Sequence, residues 1–202
     1  MKGYDRYYNL DSSQYDKKRS ISNFLMKSMG DRAILPIIQC LSNKKILEVG
    51  LGTGNYTKIL LELKNDVTGV DINPDLGKNL PIKIFKSKAD EFSLLFFQEK
   101  FDVVCSFWMI DYLNKSELEG FVKESTKVLS EKGIFLSTIP RNAGWGKLHI
   151  VLSGLKGFRK YGYSKNEIEE ILKKEKFSKY RIISMQGRLG LPFAWFVVAN
   201  KS

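Results

Sequence analysis

Three acids and a glycine triplet are the residues of this sequence best suited to chemistry. The stretch Ile46-Leu47-Glu48-Val49-Gly50-Leu51-Gly52-Thr53-Gly54-Asn55-Tyr56-Thr57 reads as a buried strand running into a glycine-rich turn, with a helix directly after it. Glycines in such a turn admit backbone angles closed to other residues and let a ligand approach the main chain. A dinucleotide site would read G-x-G-x-x-G, with the pyrophosphate on the helix N-terminus. Here the spacing is G-x-G-x-G, and Asn55 stands where that pattern has its third glycine. Glu48 would bring like charge towards a diphosphate, whereas it suits a ligand that carries an ammonium group. Further on, Val67-Thr68-Gly69-Val70-Asp71 reads as the next strand, ending in an acid placed to accept from both hydroxyls of a ribose. Asp90, in Lys88-Ala89-Asp90 just beyond the apolar run 82–86, is placed to accept from an exocyclic amine. Acids ending three successive strands line one cleft and fit a cationic nucleoside with an amino acid tail. Plainer roles stand beside these: Asp71 capping a helix that begins near Pro74, Asp90 as N-cap of a helix from Glu91, and Glu48 as an ordinary exposed acid.

The elements that must position these residues follow a regular text. From Lys45, short apolar runs alternate with amphipathic stretches: KILEV then NYTKILLELK, DVTGVD then a short NPDLGKNL, IKIFK then DEFSLLFFQ, FDVVCSF then KSELEGFVKESTKVL, GIFLSTI then a long connection and SKNEIEEILKKEK. Such alternation predicts a doubly wound α/β fold, a mostly parallel sheet with helices on both faces. The nearly all-apolar strands agree, because both faces of the sheet are covered. The ending differs, since YRIISMQ and FAWFVVAN are joined only by GRLGLP, too short for a crossover helix. Five parallel strands and a terminal pair with one antiparallel member are therefore expected. Ahead of the first strand, Ile21, Phe24, Leu25 and Met29 follow helical spacing.

The 202 residues suit one domain. Its expected parts are an N-terminal helical flap (1–43), a ligand-binding half (44–140), a substrate-side lid (141–163), and a C-terminal helix with the hairpin (164–202). The net charge of +11 admits an acidic partner such as nucleic acid or an anionic membrane surface. A solvated lysine coat is the other reading, because only 7 of the 33 basic residues are Arg and the lysines form no long block. Cys40 and Cys105 stand far apart beside a single histidine, which predicts structural cysteines and no protein-held metal. With no apolar run near the roughly 20 residues of a membrane span, and a polar N-terminus, the expected location is the cytoplasm.

Taken in order, EVGLGTG, VTGVDIN, KAD, FDVVCSFWMIDYL and VLSEKGIFLSTIPR resemble the motifs of class I S-adenosylmethionine-dependent methyltransferases, from about Lys44 to Asn200. The resemblance implies a seven-stranded sheet of order 3-2-1-4-5-7-6, S-adenosylmethionine as cofactor and S-adenosylhomocysteine as product. By the same likeness, Gly50, Gly52 and the main chain around Leu51, in the turn that ends at Gly54, would hold the methionine portion, with Glu48 reaching its amino group. Asp71 would take the ribose hydroxyls and Ile72 would pack on the adenine. Asp90 would bond the adenine amine with Ala89 beside it, and Ser106-Phe107 would border the methionine end.

On the acceptor side, Phe107-Trp108-Met109-Ile110-Asp111-Tyr112-Leu113 lacks the [D/N]-P-P-[Y/F/W] loop of base-amine methyltransferases, and the Pro-Cys of cytosine C5 enzymes is missing too. Asp111 is the leading candidate for a polar group near the acceptor; its other reading is a helix cap. The long connection after Pro140 carries Trp145, Phe158, Tyr161 and Tyr163 among several cations, and suits a lid, a stacking surface for single-stranded RNA, or partial insertion of LHIVLSGL at a membrane. His149 within it is a candidate base or a structural histidine. Tyr4, Tyr7, Tyr8 and Tyr15 are expected in a flap over the cofactor, or as anchors of the first helix. The leading expectation is methyl transfer to a small-molecule acceptor. The alternatives are an RNA or protein methyltransferase, a non-catalytic S-adenosylmethionine-binding subunit and, last, a nicotinamide dehydrogenase.

Overall fold

A computed structural model describes residues 21–96, 98–155, 159–187 and 190–201, with side chains from residue 30 onward. Strands β1 (Lys45–Val49), β2 (Asp66–Asp71), β3 (Ile84–Lys86), β4 (Phe101–Ser106), β5 (Leu129–Pro140), β6 (Phe177–Gln186) and β7 (Pro192–Lys201) form one sheet ordered β3-β2-β1-β4-β5-β7-β6. Neighbours from β3 to β5 are parallel, while β7 runs antiparallel to both β5 and β6. This is the fold expected from the alternation and the terminal hairpin. The strand order reverses beside β1, so a crevice opens where β1 and β4 both end, next to the glycine turn.

The described helices are α1 (Ile21–Ile38), α2 (Asn55–Glu62), α3 (Lys115–Val128), α4 (Gly144–Leu155) and α5 (Lys165–Lys174). Alternation along the strands divides the core into two layers. Ile46, Val103, Leu136 and Phe196 point into a layer with Ile34 and Ile38 of α1 and Leu60 of α2. Leu47, Val104 and Phe135 point the other way, onto Phe121 of α3 and Ile168 and Leu172 of α5. Burying each such side chain contributes about 1.5–3 kcal/mol, which fixes the strand register: a one-residue slip would turn every one of them to the wrong layer. Capping boxes start α3 (Asn114 with Glu117) and α5 (Ser164 with Glu167), each satisfying two otherwise orphan backbone donors.

Two connections are tighter than the sequence suggests. Residues Pro74–Gly77 and Phe92–Phe96 form single 3-10 turns rather than α-helices. Gly77 and Pro81 leave little length for a helix in the first, and the second drops Phe92 and Phe96 into the core while Leu94 stays 82% exposed. The helix supposed to start at Glu91, which Asp90 was to cap, is thus replaced by a turn that begins one residue later.

Candidate active site

A cleft lies at the carboxyl edge of β1, β2 and β4 and encloses about 970 Å³, its open mouth included. Glu48, Gly50, Leu51 and Gly52 line it from β1 and the turn; Asp71 and Ile72 from β2; Ala89 and Asp90 from the segment after β3; and Phe107 from the end of β4. The turn takes left-handed angles at Gly50 (φ 73°) and Gly52 (φ 56°), and a β-carbon at Gly50 would come within 2.4 Å of Met109. Any other residue at Gly50 would be both strained and obstructed.

Asp71 clamps this turn. Its Oδ2 accepts the Gly52 N–H at 2.9 Å and its Oδ1 accepts the Asn73 N–H at 2.9 Å, so β2 fixes the loop after β1. It does not serve as the side-chain cap of the turn at Pro74. Each carboxylate oxygen keeps lone-pair capacity for a ligand donor. Burial pushes the Asp71 carboxyl above its ordinary range, against the pull of those backbone hydrogen bonds. Glu48 is only 2% exposed, so it is no surface acid. Its Oε2 accepts the Thr57 hydroxyl at 2.6 Å. Burial raises its pKa from 4.5 to about 7, a rise opposed by the Thr57 bond and aided by the charge of Asp71. Asp90 is half-buried; desolvation raises its pKa too, with Glu91 and Glu117 adding repulsion. It rests on α3 where Gly120 leaves room, since a β-carbon there would sit 2.8 Å from Asp90 Cβ. Three carboxyls whose negative charge is disfavoured by their surroundings share one cleft. A bound cation would offset that cost, and the donor set therefore fits an ammonium-bearing nucleoside.

The residues that follow Phe107 in the chain give the cleft an apolar, aromatic wall: Trp108, Met109, Tyr112 and Leu113. Trp108 holds a left-handed angle (φ 62°), strained for an aromatic residue and kept by several contacts at once. Its N–H donates to Thr138 Oγ1 at 2.7 Å, its indole N–H donates to the Tyr56 hydroxyl at 2.8 Å, and its ring lies parallel to Phe193. Tyr56, another lining residue, donates in turn to Asp31 Oδ1 of α1 at 2.5 Å. Sequence reasoning missed Tyr56 and Trp108 as site residues, and also Tyr112, which adjoins Asp111 in the chain.

The remaining expected residues lie just outside the lining. Gly54 turns the chain into α2 (φ 76°) and packs on Leu80. The Ser106 hydroxyl is buried with no hydrogen-bond partner. The Asp111 carboxylate pairs with Lys160 at 2.6 Å, both side chains nearly buried, and Lys160 Nζ also lies 3.0 Å from His149 Nε2. The two catalytic candidates are thus brought together through a lysine, behind the wall to which Tyr112 belongs. A bridge between Arg141 and Tyr163 closes the base of the 141–163 segment, and Tyr163 donates to the Leu113 carbonyl at 2.5 Å. Tyr4, Tyr7, Tyr8 and Tyr15 lie outside the described residues. No cluster of metal-ligating side chains occurs among the described residues.

Residues 47–137 match the family described as "Methyltransferase domain". A demethylmenaquinone methyltransferase of Tropheryma whipplei is 24% identical over 138 residues, 63% of this chain and 55% of the relative, so the match spans about half of that protein's length. Among solved structures, magnesium protoporphyrin IX methyltransferase from Synechocystis with bound S-adenosylhomocysteine superposes with TM-score 0.70 at 14% identity, covering 98% of this chain and 97% of that one. A SAM-dependent methyltransferase from Archaeoglobus fulgidus gives TM-score 0.73 at 15% identity, with 92% and 97% covered.

Proposed function

From the class I S-adenosylmethionine-dependent methyltransferase domain that this chain carries, we propose that its methyl acceptor is a small molecule with an apolar body, seated against Trp108, Met109, Tyr112 and Leu113. The observation that carries this reading is the mixed lining of the cleft, which puts buried acids and an aromatic, apolar wall around one space. The curated relative is named for a demethylmenaquinone and one structural neighbour for a magnesium protoporphyrin, both small molecules.

The sulfonium cofactor supplies an activated methyl group with its leaving group in place. What falls to the chain is binding, alignment and exclusion of water. In this reading Glu48 receives the ammonium, and the turn at Gly50, Leu51 and Gly52 holds the rest of the amino acid tail. Asp71 accepts the ribose hydroxyls with its remaining lone pairs, Ile72 packs on the base, and Asp90 accepts its amine. Phe107 borders the reacting end. Asp111 and His149 act as positioning residues: through Lys160 they fix the turn that presents Tyr112, whose ring lies 5.2 Å from the Lys160 ammonium. The 141–163 segment forms the outer side of the acceptor space.

The test is calorimetric titration of S-adenosylmethionine and S-adenosylhomocysteine into wild type and Asp71→Ala. Micromolar binding, about −8 kcal/mol, that weakens at least about tenfold in the variant is expected from loss of a charge-assisted bond. Absence of binding by the folded wild type would sink the reading. Transfer of labelled methyl groups to a panel of apolar small molecules then tests the acceptor class, and transfer to RNA or protein alone would overturn it.

A further inference from the structure

Helix α4 wears its apolar face on the outside. Trp145, Leu148, Leu152 and Leu155 repeat at spacings of three and four, so they share one side, and Val151 adjoins them. All five are exposed, from 43% at Trp145 to 81% at Leu155. The buried residues of α4 are the small ones, Gly146 and Ser153. A β-carbon at Gly146 would stand 2.2 Å from the Arg141 carbonyl oxygen and 2.6 Å from that of Phe193. The helix therefore seats a bare backbone on the protein, and this seat dictates that its leucines face away. Leu191, also exposed, precedes Pro192, whose carbonyl abuts Gly144 at the start of α4, and extends the patch.

The segment that carries this face has charge of one sign along the chain, with Lys160 neutralised by Asp111. The segment 141–163 contains Arg141, Lys147, Lys156, Arg159 and Lys160 and no Asp or Glu; the nearest acids along the chain are Glu131 and Glu167. Lys147 and Arg159 are exposed. A second copy of the chain would present the same cations to this face and be repelled. A nucleic acid backbone would meet the cations and leave the leucines in water. A bilayer with anionic headgroups satisfies both.

We propose that α4 is an interfacial helix that docks the protein on anionic lipid membranes, with Trp145, Leu148, Val151, Leu152 and Leu155 entering the headgroup–acyl boundary. At 12 residues it is too short to span a bilayer, which takes roughly 20, so it lies in the membrane plane. It follows the carboxyl end of β5, on the sheet edge that holds the cleft, and Lys160 beyond it reaches back to Asp111. Docking brings the acceptor side of the cleft to the lipid surface. Vesicle binding involves no methyl transfer, so the two readings fail separately.

The test is flotation of the full chain with vesicles of phosphatidylcholine alone and of equal parts phosphatidylcholine and phosphatidylglycerol. The expected result is binding at least about tenfold tighter to the mixed vesicles, weakened by added salt. The double substitution Leu148→Gln with Leu152→Gln is expected to lower that binding at least about tenfold, while thermal unfolding and S-adenosylmethionine titration stay as in wild type. Absence of binding to either vesicle, binding indifferent to phosphatidylglycerol, or undiminished binding by the double variant would each overturn the proposal. So would concentration-dependent self-association that the double variant abolishes, which would assign the face to a second copy.

Discussion

Replacing Glu48 by Gln removes the charge from the most deeply buried acid of the cleft and keeps its shape and its bond from Thr57. The folded chain holds Glu48 protonated up to about pH 7, whereas the unfolded chain releases that proton near 4.5. Between those values the folded state binds more protons, so this residue's contribution to stability falls as pH rises. At about 1.4 kcal/mol per pH unit, the gap amounts to about 3 kcal/mol. Wild type and Glu48→Gln are therefore expected to match near pH 4, where both side chains are neutral. They diverge through pH 4.5–7, until the variant is the more stable by about 3 kcal/mol above pH 8. Urea unfolding of both ligand-free proteins across pH 4–9 measures the difference, and groups distant from Glu48 cancel between the two proteins. The gain in stability comes with a loss of function: without the carboxylate, S-adenosylmethionine is expected to bind about 10- to 100-fold more weakly. A stability difference that does not change with pH, or a variant less stable than wild type at pH 8.5, would refute the reasoning.

Two further substitutions probe the wall of the cleft. Gly30→Ala would put a β-carbon 2.4 Å from the Trp108 ring and 2.8 Å from Met185. A net loss of about 1–2 kcal/mol is expected after the better helix propensity of Ala, with a changed tryptophan emission; unaltered unfolding and emission would show that α1 does not brace the site. Lys160→Met strands the Asp111 carboxylate behind the cleft wall, at a cost of about 3–5 kcal/mol, and adding Asp111→Asn is expected to recover part of it. A thermal or urea double-mutant cycle checks this, and a coupling near zero would remove the ion pair from the account.

The sheet was legible because its signals are local. Apolar runs separated by amphipathic stretches fix the alternation, and a six-residue link between the last two runs forces the antiparallel pair. Glu48 and Asp71 were legible because each falls at a strand's end, and Asp90 because it follows the end of β3 by four residues, where the topology brings carboxyl termini together. The rest depends on partners distant in sequence. Tyr56 enters the site through a hydroxyl shared with Asp31 and Trp108, and no periodicity announces such a triangle. Lys160 looked like one of many surface cations, yet it is nearly buried between Asp111 and His149. Helix α4 was not legible, since 144–155 read as part of a long connection, and which way its apolar residues face is decided by the room at Gly146, a fact of tertiary packing.

The parallel bridge between Arg141 and Tyr163 works as a clasp. Tyr163 N–H donates to the Pro140 carbonyl, and the Trp195 indole donates to the Tyr163 carbonyl. The chain thus leaves the sheet and returns to it at nearly one point, with α4 carried in between. Once the ends are pinned, lengthening a loop costs little, about 0.6 kcal/mol per doubling. The excursion is therefore free to change in length and composition over evolutionary time without disturbing β5 or β7. An ancestor of this architecture could have acquired a new acceptor, or a new place of work in the cell, by rewriting these residues alone while the acids and glycines across the cleft stayed as they were.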